Sequence, residues 1–172
     1  GEDARRYIAA GISTDHECTS LEEALEKISG GMKILIREGS AARNLDVLAP
    51  LLSYYPEKVM ICTDDLHPET LLRGHINKLV SRLVSMGYNL FDVVRAASLN
   101  TFEHYRISAG TLRQGDPADF IIVDDPATMN VMQTWIDGKC VYDGNKALFS
   151  PGEVIKINKF KCEVNVKYGS NM

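Results

Sequence analysis

Three short apolar runs, each followed by a longer segment with helical spacing, most constrain what this chain can fold into. The runs predict buried strands, and the spacing predicts helices. The pairs are strand 8–12 with helix 21–29, strand 32–36 with helix 41–54, and strand 58–62 with one helix from Pro68 to Gly87. Strands that alternate with helices in this way form a parallel sheet covered by helices. The pattern therefore predicts a doubly wound sheet or part of a (β/α)8 barrel.

Two of these assignments carry alternatives. Residues 2–10 also have helical composition, which competes with a strand over 8–12, and the pattern alone does not choose between them. Ser40 is placed to cap the helix over 41–54, which Pro50 is expected to kink or divide. The first alternative decides where the first strand begins.

The character of the sequence changes after residue 107. Up to that point the pattern is helical, with a last amphipathic helix predicted over 90–105. Beyond it the predicted strands are 118–124, 131–136, 139–142, 154–157 and 162–166. The Asp137-Gly138 pair between two of these strands is a strong hairpin signal. We therefore predict an α/β domain over 1–107 and a small β domain over 108–172.

Composition excludes several classes of partner. The net charge is only -4 and the chain has no run of Lys or Arg, so we expect neither a nucleic-acid partner nor a membrane partner. No apolar stretch approaches the length of about 20 residues that spans a bilayer. The four cysteines are far apart and form no CxxC pair, which favours a reducing cytoplasm over a disulfide framework.

Polar side chains follow each predicted strand where it ends. His16 follows the first strand, Arg37 and Glu38 the second, and Asp64 and Asp65 the third. The carboxyl ends of parallel strands meet at one edge of a sheet. A divalent metal that activates water needs imidazole nitrogens or carboxylate oxygens from separate rigid elements. The pattern therefore favours His16 and Asp64 as candidate metal ligands.

Each of these residues also has a purely structural interpretation. A histidine after a strand is often only hydrogen-bonded, and Asp64 and Asp65 could cap a helix ahead of Pro68. Arg37 and Glu38 could hold an anion or a substrate edge, or they could form an ion pair. Spacing alone leaves these alternatives open.

Three stretches together closely resemble the adenine deaminases of the amidohydrolase superfamily. They are residues 11–17 (Gly-Ile-Ser-Thr-Asp-His-Glu), 36–45 (Ile-Arg-Glu-Gly-Ser-Ala-Ala-Arg-Asn-Leu) and 62–65 (Cys-Thr-Asp-Asp). Residues 97–101 (Ala-Ser-Leu-Asn-Thr) and 115–123 (Gly-Asp-Pro-Ala-Asp-Phe-Ile-Ile-Val) resemble the superfamily's last barrel helix and its return to a β-sandwich. The resemblance spans about residues 2–160.

The resemblance implies a metal-dependent (β/α)8 barrel beside a small β-sandwich, with the metal at the carboxyl ends of the strands. His16 matches the family's strand-6 ligand, and Asp64 matches the strand-8 Asp that binds metal and shuttles a proton. Arg37 and Glu38 match the strand-7 position and are candidate substrate-binding residues. Nothing matches the His-x-His after strand 1, the carboxylate after strand 4 or the histidine after strand 5. We therefore expect a fragment, running from after strand 5 into the sandwich, that is inactive alone.

For the full-length parent the resemblance implies metal-dependent hydrolytic deamination of adenine to hypoxanthine and ammonia. Manganese or iron suits a mixed site of histidine and carboxylate, and zinc is an alternative. The expected partner is a small-molecule purine, and the expected state is a cytoplasmic homo-oligomer. Two other hypotheses stay open. One is another amidohydrolase that uses His16 and Asp64 on a cyclic amide, and the other is a non-catalytic α/β interaction module that binds through an open sheet edge.

Overall fold

Two three-stranded sheets organise the computed structural model, which describes residues 1–150, 152 and 157. The first sheet is parallel, in the order β1 (Thr14–Asp15), β2 (Lys33–Arg37) and β3 (Val59–Cys62). The second is antiparallel, in the order β4 (Phe120–Val123), β5 (Val131–Ile136) and β6 (Lys139–Tyr142). The α/β class and the hairpin at Asp137-Gly138 are confirmed. The two strands predicted after residue 150 lie almost wholly outside the described residues.

Helices in the described part of the chain are mostly short. They are α1 (Glu2–Ala9), α2 (Leu21–Ser29), α3 (Leu45–Leu48), α4 (Leu51–Tyr54), α5 (Pro68–Leu71), α6 (Ile76–Ser85), α7 (Leu90–Ala97) and α8 (Leu99–Tyr105). A turn of 3₁₀-helix, Pro56–Lys58, leads into β3. Over the residues described, no helix combines the length and the apolar character that crossing a membrane requires.

The helical alternative for the first residues is the one that forms. Helix α1 ends where the amide of Ala10 donates to the carbonyl of Arg6 at 3.0 Å, and Gly11 then turns the chain with φ +89°. A strand over residues 8–12 is therefore wrong. Strand β1 begins only after this turn and is two residues long.

Two predicted helices are interrupted. The helix predicted from Pro68 to Gly87 breaks ahead of α6, because Gly74 has φ +145°, a conformation that a helix cannot contain. His75, expected inside that helix, is instead the residue before α6. The helix predicted over 90–105 breaks at Ser98, whose backbone angles (φ -139°, ψ -76°) are not helical.

The region predicted as helix 41–54 is also divided. The break falls at Pro50, as predicted, between α3 and α4. The predicted cap is wrong, however. Ser40 does not begin a helix, because α3 starts four residues after position 41 and the Ser40 hydroxyl accepts from the amide of His67 at 2.9 Å.

Side-chain alternation along β2 separates the core from the site. Ile34 and Ile36 are fully buried, and their neighbours in register on β3 are Val59 and Ile61. These four side chains belong to one hydrophobic core with residues of the helices, among them Ala24, Ile28, Leu48, Leu51, Leu83 and Val93. Because successive side chains of a strand point to opposite faces, Arg37 lies on the face away from that core.

A buried asparagine fastens α8 to the start of β3. The Asn100 amide donates to the carbonyl of Pro56 at 2.6 Å and to that of Val59 at 2.7 Å. Its side-chain oxygen accepts from Arg95 at 3.3 Å, and the residue is completely buried. Asn100 therefore supplies a side-chain donor to two backbone carbonyls at the start of β3.

We expect Asn100→Leu to lower the free energy of unfolding by about 3 kcal/mol, because it removes the hydrogen bonds that this buried side chain makes to two carbonyls and to Arg95. Denaturant unfolding of the purified protein measures the loss. Glu103→Leu, which places the same side chain at an exposed position of the same helix, should change it by less than about 0.5 kcal/mol. Equal effects of the two variants would contradict this role for Asn100.

A close backbone approach joins α8 to the antiparallel sheet. A Cβ atom on Gly110 would lie only 1.8 Å from the carbonyl oxygen of Pro117, so no other residue fits this turn without a backbone shift. The Gly110 amide donates to Asp119 at 2.7 Å, and the amide of Asp137 donates to the other oxygen of the same carboxylate at 2.7 Å. These backbone hydrogen bonds lower the pKa of Asp119. One carboxylate thus ties the entry loop to the hairpin turn.

Candidate functional site

A continuous line of polar contacts joins the residues that follow the three parallel strands. Arg37 Nη1 donates to Asp64 Oδ2 at 3.0 Å and to Glu17 Oε1 at 3.0 Å. Arg37 Nη2 donates to Glu17 Oε2 at 2.6 Å. His16 Nε2 lies 3.2 Å from Glu17 Oε1. The contacts therefore run from His16 through Glu17 and Arg37 to Asp64.

The position of Arg37 follows from the register of the sheet. It is the last residue of β2 and is paired with Cys62 of β3, so its side chain reaches across the ends of both neighbouring strands. Its side chain is 12% exposed. Burial by itself would lower the pKa of Arg37, but the carboxylates of Glu17 and Asp64 raise it overall. A fixed positive charge therefore lies between the two predicted metal ligands.

Asp64 lies just beyond β3 in a left-handed backbone conformation, with φ +49°. Aspartate tolerates this region better than most residues do. Next to it, the hydroxyl of Thr63 is 2.9 Å from His75 Nε2, which holds the loop against the start of α6. Arg37 contacts only the Oδ2 atom of Asp64, and no donor among the described residues contacts Oδ1. One carboxylate oxygen is thus available to a ligand.

Asn44 holds the ends of β1 and β2 together. Its side-chain oxygen accepts from the amide of Arg37 at 2.8 Å. Its side-chain nitrogen donates to the carbonyls of His16 at 3.2 Å and Cys18 at 3.1 Å. The residue is buried, and it directly precedes α3. Asn44 therefore fixes the backbone positions of His16 and Arg37 relative to each other.

The other predicted site residues have protein partners. Arg82 donates to Glu38 at 2.8 Å, and the Glu38 side chain is 15% exposed. Neither Asp64 nor Asp65 caps α5, whose first-turn amides receive no side-chain cap. Asp65 instead lies over Gly39, where an added Cβ would come within 2.3 Å of the Asp65 Oδ1 atom. Direct contact of Arg37 or Glu38 with a substrate stays a prediction, as do the metal roles of His16 and Asp64.

A second polar cluster lies on the helix side of β1. Among the described residues, Asp15, Cys18 and Glu23 are the one group of three potential metal ligands that lie close together. The ammonium group of Lys27 already occupies the centre of this group, because it donates to Asp15, to Glu23 at 2.6 Å and to the Cys18 sulfur at 3.6 Å. We interpret the cluster as an ion-pair network that fastens α2 to β1.

The pKa values in this cluster follow from burial and from Lys27. Burial tends to raise the pKa of Asp15, but hydrogen bonds from Lys27 and from the amide of Glu17 lower it overall. Burial, reinforced by the neighbouring carboxylate of Asp15, raises the pKa of Cys18 to about 12. The Cys18 thiol is therefore neutral and inert, and Asp15 is ionised.

We expect Lys27→Met to lower the free energy of unfolding at neutral pH by about 2 kcal/mol, since it leaves the Asp15 carboxylate in a part-buried site without its cation. The pKa of Asp15 is lower in the folded protein than its ordinary value of 3.8. Ionised Asp15 therefore stabilises the fold above that value, and this stabilisation is lost as the pH falls through the lowered pKa. The difference between wild type and variant should therefore shrink below about pH 4.

Urea unfolding from pH 3 to pH 8 measures this difference. Lys139→Met, an equivalent change at an exposed position of β6, is the control and should have little effect at any pH. A constant difference between Lys27→Met and wild type across the acid range would contradict the assignment to Asp15.

Two contributors to the site escaped the sequence analysis. Glu17 was visible beside His16, but its bidentate pairing with Arg37 depends on the strand register. Asn44 precedes a helical pattern, which is a signal for a helix cap, yet its side chain bonds to strands rather than to α3. In the separate cluster around Asp15, Lys27 had a partial signal, because Glu23 lies four residues earlier on the same helix.

Comparison with known proteins places these features in a family. The profile of the Amidohydrolase family matches residues 2–141. Adenine deaminase of Methanosarcina mazei is 54% identical over 161 residues, which are 93% of this chain and 29% of the relative. Adenine deaminase of Salinibacter ruber is 49% identical over 163 residues, or 95% of this chain and 30% of the relative. The chain thus spans less than a third of these curated relatives.

A solved structure has a similar fold. The crystal structure of a β-aspartyl dipeptidase from Fervidobacterium islandicum superposes with a TM-score of 0.61 at 17% identity, covering 77% of this chain and 37% of that one. At this level of identity the likeness concerns the fold alone. The profile match covers most of the chain, including the first sheet, all but the last residue of the second, and the three strand ends that carry the site. The chain belongs to the amidohydrolase family.

Proposed function

We propose that this chain is the part of an adenine deaminase that carries the end of its barrel and the start of its β-sandwich. The observation that carries the proposal is the sequence identity to adenine deaminases, which is 54–55% over 93% of the chain. The matched part includes the strand ends at His16, Arg37 and Asp64. In this proposal residues 1–107 supply strands 6 to 8 of a (β/α)8 barrel, and 108–172 belong to the sandwich.

The donor chemistry at the strand ends fits a divalent cation. His16 and Asp64 offer an imidazole and a carboxylate from separate strands at one sheet edge, and both side chains reach solvent, at 47% and 35% exposure. The Oδ1 atom of Asp64 has no donor among the described residues. We therefore propose His16 and Asp64 as two of its ligands. Mixed nitrogen and oxygen ligands suit manganese or iron, with zinc as the alternative.

A cation held there would supply Lewis-acid activation of water. Asp64 would then accept a proton from the water that adds to C6 of adenine and deliver it to the departing amino group. The C6–N6 bond breaks, ammonia leaves and hypoxanthine remains. Proton transfer in both directions requires a carboxylate oxygen that is accessible. Asp64 Oδ1 meets this requirement, because Arg37 contacts only Oδ2.

The remaining ligands that the family resemblance implies would come from the rest of the parent protein. Two ligands alone hold a catalytic metal weakly, so the 172-residue chain by itself should be inactive. A homo-oligomeric, cytoplasmic parent stays a prediction.

Ammonia release from adenine by the full-length parent, loaded with manganese, tests the function. We expect hypoxanthine and ammonia in equal amounts, and no product from the 172-residue chain. Hydrolysis of cyclic amides in place of adenine would favour the other amidohydrolase hypothesis. Absence of both activities, together with absence of bound metal, would favour an interaction module.

A further inference from the structure

Glu17 is more constrained than its exposure implies. Its side chain is 65% exposed, yet Oε1 and Oε2 accept from Nη1 and Nη2 of Arg37 at 3.0 and 2.6 Å. The Oε1 atom also lies 3.2 Å from His16 Nε2. Isolated surface ion pairs fix little, but a bidentate pair with a partly buried arginine fixes both side chains in orientation.

Three of the five N–H groups of Arg37 donate to carboxylates of this chain. Both N–H groups of Nη1 are engaged, one by Glu17 and one by Asp64. Its Nε atom is enclosed by protein and has no acceptor among the described residues. The guanidinium therefore faces the two carboxylates rather than the open edge of the sheet.

We propose that Glu17 and Arg37 are positioning residues that orient the two metal-ligand candidates, His16 and Asp64, and that neither contacts the purine. For Arg37 this replaces the substrate contact that the family resemblance implies. The inference rests on the proposed function. Arg37 holds Oδ2 of Asp64 and leaves Oδ1 free for the metal and the reacting water. Glu17 holds Arg37 and at the same time lies against the His16 ring.

The backbone of Asp64 explains why such support is needed. Asp64 lies outside β3 at φ +49°, so no strand hydrogen bonds fix the direction of its side chain. His16 lies one residue beyond β1, which is itself only two residues long. Side-chain contacts must therefore supply the orientation that the sheet does not, which is the usual role of groups behind metal ligands.

The test compares Glu17→Gln, Arg37→Lys and their combination in the full-length, manganese-loaded parent. Glu22→Gln is the matched control, since Glu22 is exposed on α2 and the same charge is removed. We expect Glu17→Gln to lower kcat for adenine by about 10- to 100-fold while KM stays within about twofold. Because Glu17 acts through Arg37, the double variant should be no slower than Arg37→Lys.

Metal retention gives a readout besides activity. On dilution into a chelator, Glu17→Gln should lose manganese about tenfold faster than wild type or Glu22→Gln, with an unchanged melting temperature. A Glu17→Gln variant that matches Glu22→Gln in kcat and in metal loss would overturn the proposal. So would a rise in KM at constant kcat, which indicates substrate contact, or multiplicative losses in the double variant.

The failure of this inference is distinguishable from failure of the proposed function. If the wild-type parent does not deaminate adenine, the proposed function is overturned. The comparison of metal loss then tests the positioning role of Glu17 without reference to activity. Faster loss from Glu17→Gln than from Glu22→Gln supports the positioning role, and equal loss overturns it.

Discussion

Replacing Asp64 with Asn in the full-length parent should reduce adenine turnover by about 10³-fold or more while the fold is retained. Asparagine has nearly the same shape, and its side-chain oxygen can still accept from Arg37 Nη1. It cannot accept and return the proton that the hydrolysis moves, and it is a poorer ligand for a hard cation. The loss should therefore appear in kcat.

Asp65→Asn is the matched control for this prediction, since it makes the same change one residue away. Asp65 lies over Gly39 rather than in the contacts that join His16 to Asp64. We expect it to retain most of the activity of the wild type. Steady-state ammonia release and thermal unfolding of both variants provide the comparison. An Asp64→Asn variant that still turns over adenine would remove Asp64 from its proposed role.

Asn44→Leu should have the largest effect on stability, with a loss of about 3 to 4 kcal/mol in the free energy of unfolding. The substitution removes partners from three backbone groups, namely the amide of Arg37 and the carbonyls of His16 and Cys18. Buried backbone groups without partners cost about 1–3 kcal/mol each, and water entering the loop would recover part of this.

Urea unfolding measures the effect of Asn44→Leu, and Asn145→Leu, at an exposed position after β6, is the control. Metal affinity should fall together with stability in Asn44→Leu, because His16 and Arg37 lose a common support. A variant with normal stability, or one with reduced stability and unchanged metal affinity, would show that Asn44 does not link the two strands.

Much of the first sheet could be predicted because its signals are local. The apolar runs that became β2 and β3 are bounded by charged or turn-forming residues, and their order follows from the helices between them. The break at Pro50 is also local, since proline lacks the amide that a helix requires. The breaks at Gly74 and Ser98 were missed, because apolar spacing continues across both.

The residues of the site could be predicted from the sequence, but their contacts could not, for a related reason. Arg37 ends a strand, His16 and Asp64 each lie just beyond one, and parallel topology brings strand ends together. Which of them touch depends on register, and pairing Arg37 with Cys62 places the guanidinium between the two neighbours. Register arises from packing of the whole sheet rather than from any one segment. The contacts of Glu17 and Asn44 therefore could not be inferred from spacing.

Strand β1 has a consequence for the dynamics of the molecule. With only two residues in the ladder, β1 has few backbone hydrogen bonds. The side-chain nitrogen of buried Asn44 supplies two more just after the strand, to the carbonyls of His16 and Cys18. Local opening of β1 must therefore break contacts with the segment that starts α3, so the two should exchange their amide hydrogens as one cooperative unit. The rate at which the backbone at His16 opens therefore depends on Asn44, a residue 28 positions away in sequence.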